Sequence, residues 1–175
     1  CLDEAAPGLP FLSDWLAEAA PEPVDAEQNA DTVVAIRSTG GTTGPSKGVM
    51  ITNRNYETLF ANLLASARFP AAPVHLVVAP LSHAAGTLNW VTFAHGGRNV
   101  VLGRFDAAEV LRRIEVERVT HLFLTPTMIY MLLDHPQIGA HDYSSLRMVV
   151  YAGAPMSVDK LKRAIEIFGP VFLQG

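Results

Sequence analysis

The sequence has 175 residues, of which 49% are hydrophobic and 17% are charged, and its net charge at pH 7 is −4. This composition predicts one globular domain and excludes both intrinsic disorder and the basic surface of a nucleic-acid binder. One cysteine, Cys1, excludes an internal disulfide, and the lack of an 18-residue apolar run predicts no transmembrane segment.

Residues 1–31 are predicted to form a short helix, capped by Ser13 or Asp14, followed by a linker rich in proline, alanine and glutamate. The segment has no signal-peptide pattern, and we interpret Cys1 as an ordinary residue rather than a reactive thiol. These features favour a reducing, cytoplasmic location. Because no initiator methionine opens the sequence, we expect the chain to be a piece of a longer protein.

From residue 32 the pattern alternates between β-branched or apolar strands and segments with helical spacing. The predicted strands are TVVAIRS, GVMIT, VHLVVAP, RNVVLG, VTHLFL, LRMVVYAG and VFLQG. The predicted helices are NRNYETLFANLLASA, AAGTLNWVTFAHGG, the segment from Asp106 to about Arg118, TMIYMLLD after Thr125 and Pro126, and VDKLKRAIEIF after Ser157.

This alternation predicts an α/β fold in which helices cover both faces of a mostly parallel sheet. In such sheets, ligands bind beyond the carboxyl ends of the strands. Glycine, threonine or proline turns follow three of the predicted strands, at Thr39–Gly44, Pro80–Gly86 and Tyr151–Pro155, and the sequence stops at a fourth such position, Gln174-Gly175. We therefore expect one binding site built from these turns.

The segment IRSTGGTTGPSKGVMI combines glycines, hydroxyl side chains and a single lysine between two apolar runs. Glycine backbone amides and hydroxyls can surround an anion, and a lysine adds positive charge, so the segment predicts a polyphosphate site. It is not a Walker loop, because Lys47 follows Ser46 and precedes Gly48, and it leads into a strand, unlike a dinucleotide loop. A kinase or nucleoside-triphosphate hydrolase of the Walker type is therefore disfavoured.

The same segment resembles the phosphate loop of the adenylate-forming (AMP-binding) superfamily, which includes acyl- and aryl-CoA synthetases, luciferases and peptide-synthetase adenylation domains. Gly48 also matches the family pattern, and Ser46 stands where proline is commoner. The resemblance implies that the ATP phosphates contact Thr39, Gly40, Gly41, Thr42, Thr43, Gly44 and Lys47.

Further family motifs follow in the family's order, so that the resemblance covers about residues 30–175. PLSHAAG resembles the segment whose histidine, here His83, borders the substrate carboxylate, although a structural hydrogen-bonded histidine is the alternative from the residue alone. TPTMIYMLL resembles a packing helix. YAGAPMS resembles the adenine turn, which implies adenine contacts for Gly153, Ala154 and Pro155, with Ala152 replacing a glycine.

The final segment, VFLQG, resembles the strand that runs into the family's Tyr-Gly-x-Thr-Glu motif, and this implies nucleotide contacts for Gln174 and Gly175. The threonine and glutamate of that motif, which contact phosphate and magnesium in the family, would follow Gly175. The ribose-binding aspartate and the C-terminal domain are also beyond the sequence. We therefore expect a fragment that is inactive by itself and needs the missing C-terminal part.

The resemblance implies that the whole enzyme uses ATP and Mg2+ to convert a carboxylic acid into an acyl-adenylate and then transfers the acyl group to CoA. Lys47 and His83 are its implied catalytic residues, and no protein metal ligand is assigned. The apolar segment Ala84–Phe93 favours a hydrophobic acid, with His83, Gly86 and Trp90 as substrate contacts, although Trp90 and Phe93 could equally be core residues. Open alternatives are a non-catalytic nucleotide- or acyl-binding subunit, another acceptor and a homo-oligomer.

Overall fold

The computed structural model describes residues 8, 11–19, 27–38, 44–67, 69 and 71–175. Contacts within the chain divide it into two units, residues 1–53 and 54–175. The domain boundary predicted at residue 31 stays a prediction. In the described part of the chain, the helices are too short or too polar to cross a lipid bilayer.

The first unit contains a short helix, α1 (Leu12–Ala17), and a hairpin of β1 (Val33–Ser38) and β2 (Gly48–Thr52). The two strands pair antiparallel, and Ser38 lies opposite Gly48. The cap predicted at Ser13 or Asp14 is wrong. The helix begins at Leu12, and the Ser13 hydroxyl bonds to the neighbouring Asp14 carboxylate at 3.4 Å rather than to a backbone N–H.

The second unit is a parallel five-stranded sheet with flanking helices, which confirms the predicted fold class. The neighbouring strands pair in parallel in the order β4-β3-β5-β6-β7. Its strands are β3 (Val74–Val77), β4 (Arg98–Val101), β5 (His121–Leu124), β6 (Met148–Tyr151) and β7 (Phe172–Gln174). Its helices are α2 (Asn53–Ser66, which enters this unit at Arg54), α3 (Ala84–Ala94), α4 (Ala107–Val116), α5 (Pro126–Leu133) and α6 (Val158–Phe168).

Alternate side chains of each strand reach the two faces of this sheet. On one face, the larger core joins strand residues such as Leu76 and Leu122 to α4, α5 and α6 through Leu111, Leu132 and Phe168. On the other face, a smaller cluster packs α3 against the sheet, and it consists of Ala79, Ala85, Leu88 and Phe123. Few large apolar side chains therefore hold α3 against the sheet.

The helix ends follow the local signals in the sequence. Asp106 caps α4 by accepting from the Glu109 N–H at 2.9 Å, and Thr125 caps α5 by accepting from the Met128 N–H at 3.3 Å. Ser157 occupies the cap position of α6 without a side-chain cap bond. At its other end α6 stops at Gly169, whose φ of 86° leaves the helical region.

Candidate functional site

The carboxyl ends of β3, β5, β6 and β7 lie at one edge of the sheet, because neighbouring strands run in parallel. The predicted turns Pro80–Gly86 and Tyr151–Pro155, together with Gly175, lie where β3, β6 and β7 end at this edge, and Tyr151 is the last residue of β6. The prediction is wrong for the turn Thr39–Gly44, because the strand before it, β1, pairs in a separate antiparallel hairpin and not in this sheet. A methyl group on Gly175 would lie 3.7 Å from the Ala152 side chain, so the ends of β6 and β7 meet there. The segments predicted to contact adenine and the nucleotide therefore come together.

The turn after β6 combines an exposed surface with a left-handed backbone residue. Gly153–Pro155 is exposed, and Gly153 has a φ of 95°, a region in which a side chain costs roughly 1–2 kcal/mol. The Tyr151 hydroxyl donates to Gln174 Oε1 at 3.0 Å, and the Gly175 N–H donates to the Tyr151 carbonyl at 3.0 Å. These bonds fix the end of β7 beside the turn.

His83 lies at the same edge, directly before α3, and its imidazole is exposed. Its Nδ1 is 2.9 Å from the Ser82 hydroxyl, and it makes no side-chain cap bond to α3. Gly86 has a packing reason to be glycine, since a Cβ there would come 2.0 Å from the Leu81 carbonyl oxygen. The substrate roles of His83 and Gly86 stay predictions.

A cavity of about 260 Å³ opens between α3 and the sheet, which we call the α3 cavity. Its lining is apolar apart from the hydroxyls of Ser66 and Thr87, and the Thr87 hydroxyl already donates to the Ala84 carbonyl at 2.6 Å. The lining residues are Leu63, Ser66, Ala67, Ala84, Thr87, Leu88, Val91, Phe123, Met148, Val150, Ala152, Leu173 and Gly175. Ala152 and Gly175 connect this cavity to the turn after β6.

A second cavity, of about 330 Å³, adjoins the α3 cavity toward the amino ends of β6 and β7. The two share Ser66, Ala67, Met148 and Leu173 as lining residues. The lining of the second cavity is more polar than that of the α3 cavity and includes Arg147.

Trp90 does not line either cavity. Its side chain is 63% exposed on α3, and its ring lies 6.1 Å from that of Phe60 on α2. Phe93 is 58% exposed, so neither aromatic residue is buried in the core of the described chain. The cavity wall instead uses Ala84, Thr87, Leu88 and Val91, the spacing of one helix face.

The predicted phosphate loop lies largely outside the described residues, which exclude Thr39, Gly40, Gly41, Thr42 and Thr43. Of its remaining residues, Gly44 has a φ of 149°, and Lys47 is exposed next to the start of β2. The paired ends of β1 and β2 hold the two sides of this loop together. The phosphate contacts stay predictions.

The structure contains a pair of buried histidines that the sequence did not predict, His75 on β3 and His121 on β5. Both side chains are fully buried, and their rings stack with centroids 4.7 Å apart and an interplanar angle of 11°. Burial lowers the pKa of His75, and burial together with the nearby His75 and His95 lowers the pKa of His121 to about 3. Both imidazoles are therefore neutral at pH 7. The sequence feature that could have predicted this pair is a histidine at the second position of two apolar runs, VHLVV and THLFL.

Comparison with known proteins gives a consistent family assignment. The model of the family described as "AMP-binding enzyme" matches residues 3–175. The medium/long-chain-fatty-acid–CoA ligase FadD8 of Mycobacterium tuberculosis is 44% identical over 165 residues, which are 92% of this chain and 29% of that protein.

Solved structures of the same kind share the fold. The amide bond synthetase McbA from Marinactinospora thermotolerans is 35% identical with a TM-score of 0.78, and the match covers 91% of this chain and 32% of that one. ATP-bound MatB from Rhodopseudomonas palustris is 27% identical with a TM-score of 0.80, over 93% of this chain and 32% of that one. The chain thus spans about a third of the length of the relatives it matches.

Proposed function

The chain belongs to the AMP-binding enzyme family, and we propose that it is the nucleotide- and acid-binding part of an ATP-dependent acyl-CoA synthetase. The substrate is a hydrophobic carboxylic acid. The observation that carries this proposal is the apolar α3 cavity, which reaches the turn after β6 at the carboxyl edge of the sheet. Its volume is close to the lower end of small-molecule sites.

In the proposed reaction, the carboxylate oxygen of the acid attacks the α-phosphorus of ATP, and pyrophosphate leaves. The sulfur of CoA then attacks the acyl carbon, and AMP leaves. The first step brings two anions together, so preorganised positive charge and hydrogen-bond donors lower its barrier. We assign this work to Lys47 and the hydroxyls of Thr42 and Thr43.

The positions at the carboxyl edge support the remaining proposed roles. We assign adenine binding to the exposed turn Gly153–Pro155, next to Gln174 and Gly175, and contact with the substrate carboxylate to exposed His83. Trp90 stays a proposed substrate contact only for acids that extend over the outer face of α3. A longer acid would extend past Met148 into the second cavity.

Mg2+ would enter bound to ATP, whose phosphates supply most of its ligands. Among the described residues there is no cluster of three metal-ligating side chains.

A different acceptor is the second candidate, and the likeness to an amide bond synthetase favours it. An amine would then replace CoA in the second step, while the adenylation step and its residues would be the same. Product analysis with CoA or an amine as the acceptor distinguishes the two.

The test is acid-dependent ATP–pyrophosphate exchange in an enzyme of the relatives' length that contains this chain. Lys47→Ala and Thr43→Ala should each lower the exchange rate about 100-fold, the usual effect of losing one preorganised donor. Lys162→Ala is the matched control, because Lys162 is an exposed lysine on α6 and should leave the rate unchanged.

Exchange that survives both loop substitutions would contradict the assigned role of the loop. Binding of ATP and acid without any exchange would instead support the alternative of a non-catalytic binding subunit.

A further inference from the structure

The polar contacts of the buried His75–His121 pair lead from the sheet to a single helix. His75 Nδ1 lies 3.0 Å from Asn89 Oδ1, and His121 Nε2 lies 3.0 Å from Thr92 Oγ1. Asn89 and Thr92 both belong to α3. Two side-chain bonds therefore connect β3 and β5 to the helix that walls the α3 cavity.

The hydrogen bonds around the pair identify which ring nitrogens donate. The Thr92 hydroxyl donates its proton to the Leu88 carbonyl at 2.7 Å, so it accepts from His121 Nε2–H. In this neutral form, His121 Nδ1 carries no proton and accepts from the Thr120 hydroxyl 3.0 Å away. His75 Nδ1 faces the amide oxygens of Asn89 and of Asn99, the latter at 2.9 Å, so it carries a proton as well. Each imidazole thus needs one particular neutral form.

Neighbours of His121 in the sheet line the α3 cavity, although the two histidines do not. Met148, which lines the cavity, is the register partner of His121 on β6, and Phe123 lies two residues further along β5 on the same face. On α3, the cavity residues Leu88 and Val91 directly precede Asn89 and Thr92, the two residues that bond to the histidines. A small rotation of α3 would therefore change the shape of the cavity.

The apolar contacts of α3 leave this rotation weakly determined. Its buried apolar side chains are only Ala85, Leu88 and Val91, while Trp90 and Phe93 are exposed. Apolar burial has no directional preference, whereas a hydrogen bond weakens steeply when its donor and acceptor lose alignment. The two polar anchors can therefore select one orientation of the helix.

We propose that the buried His75–His121 pair positions α3. Through its bonds to Asn89 and Thr92, the pair sets the orientation of this helix and hence the shape of the α3 cavity, where the acid binds. The inference deepens the proposed function and rests on it, since it assigns the affinity for the acid partly to residues that do not line the cavity. His75 and His121 are positioning residues and not catalytic ones.

The test compares two substitutions of His121 in this chain. His121→Leu removes the donor to Thr92 at similar size, whereas His121→Gln places an amide N–H near the position of Nε2 and should restore the bond. Dodecanoate is the probe, with its Kd measured by titration calorimetry. Amide hydrogen exchange of residues 84–94 is compared with that of residues 107–116 in α4.

We expect His121→Leu to raise the Kd for dodecanoate about 3- to 10-fold, the effect of losing one hydrogen bond, and to speed exchange selectively in α3. His121→Gln should stay within about 2-fold of the unsubstituted chain. Tyr143→Phe is the matched control, because it removes another internal bond, from Tyr143 Oη to the Ile138 carbonyl at 2.6 Å, which lies away from α3. Tyr143→Phe should change neither the Kd for dodecanoate nor the amide exchange of residues 84–94.

The outcomes separate the two proposals. If the unsubstituted chain binds dodecanoate and His121→Leu binds it equally well with unchanged exchange in α3, the positioning role is overturned and the proposed function stands. Equal effects of Tyr143→Phe and His121→Leu would also overturn it, since they would reflect general destabilisation. If the unsubstituted chain does not bind dodecanoate, the proposed function fails, while selective exchange in α3 still supports the positioning role.

Discussion

The hydroxyl oxygen of Tyr130 on α5 accepts a hydrogen bond from the backbone N–H of Ser157 at 2.9 Å. Ser157 is the cap residue of α6 and closes the turn that contains Gly153–Pro155. A packing helix therefore holds the far side of the proposed adenine turn, while the bond between Tyr151 and Gln174 holds its near side. The four residues lie in the segments TPTMIYMLL, YAGAPMS and VFLQG, but the sequence did not predict the bonds between them.

Tyr130→Phe removes the first of these bonds. Because the bond is exposed and water can replace it, we expect a loss of at most about 1 kcal/mol in the free energy of unfolding. The affinity for AMP, measured by titration calorimetry, should fall about 3-fold because the turn is less restrained. Met131→Ala is the control on the same helix, since Met131 is half exposed. An unchanged AMP affinity in Tyr130→Phe would argue against the link.

Gly153→Ala tests the left-handed backbone of the turn. At a φ of 95° the new Cβ should destabilise the fold by roughly 1–2 kcal/mol or force the turn into another conformation. Either result should weaken AMP binding, and thermal unfolding measures the strain. Gly103→Ala is the matched control, because a Cβ at Gly103 meets no atom within 4 Å and its φ is not in that region. Equal unfolding temperatures for the two variants would contradict the predicted strain.

Leu88→Ala and Leu111→Ala compare the two faces of the sheet. Both side chains are buried, so each substitution should cost about 2–5 kcal/mol of stability. Only Leu88 lines the α3 cavity, whereas Leu111 packs in the opposite core. We therefore expect Leu88→Ala alone to change the relative affinities for narrow and bulky acids, measured by calorimetry. If Leu111→Ala changes the relative affinities in the same way, the result would contradict our proposal that the acid binds in the α3 cavity.

The buried histidines predict a loss of stability in acid. The folded pKa of His121, about 3, lies below the unfolded value near 6.5, so the unfolded chain binds a proton more readily. The contribution is complete above pH 6.5 and is lost as the pH falls toward 3. At pH 5 the loss from this one group is about 2 kcal/mol.

The measurement is the midpoint of urea unfolding between pH 7 and pH 5. Carboxylates also titrate in acid, so the comparison is made with His121→Gln, which keeps the donor to Thr92 and removes the titrating group. The difference between the two chains should shrink or reverse as the pH falls. If the unfolding midpoints of the two chains change in parallel with pH, His121 does not contribute to the loss of stability in acid.

Much of the fold could be predicted because its signals are local. Apolar runs and helical spacing identified the strands and helices, and Asp106, Thr125 and Gly169 marked helix ends through bonds or backbone angles that depend on neighbours in sequence. The cap predicted at Ser13 or Asp14 was wrong because the helix begins at Leu12, so both residues lie within its first turn. Resemblance to a family added the site residues, and the roles of all of them remain predictions.

The sequence by itself determined the alternating pattern, and with it the parallel sheet and the edge at which the turns after β3 and β6 lie, but it did not predict that β1 and β2 form a separate antiparallel hairpin. Only the tertiary structure decided which side of α3 faces the cavity, why Trp90 is exposed, and that His75 and His121 stack although 45 positions separate them along the chain. The physical reason is that local propensity depends on neighbours in sequence. The rotation of a helix and the burial of an imidazole depend on partners that only the packed sheet brings together.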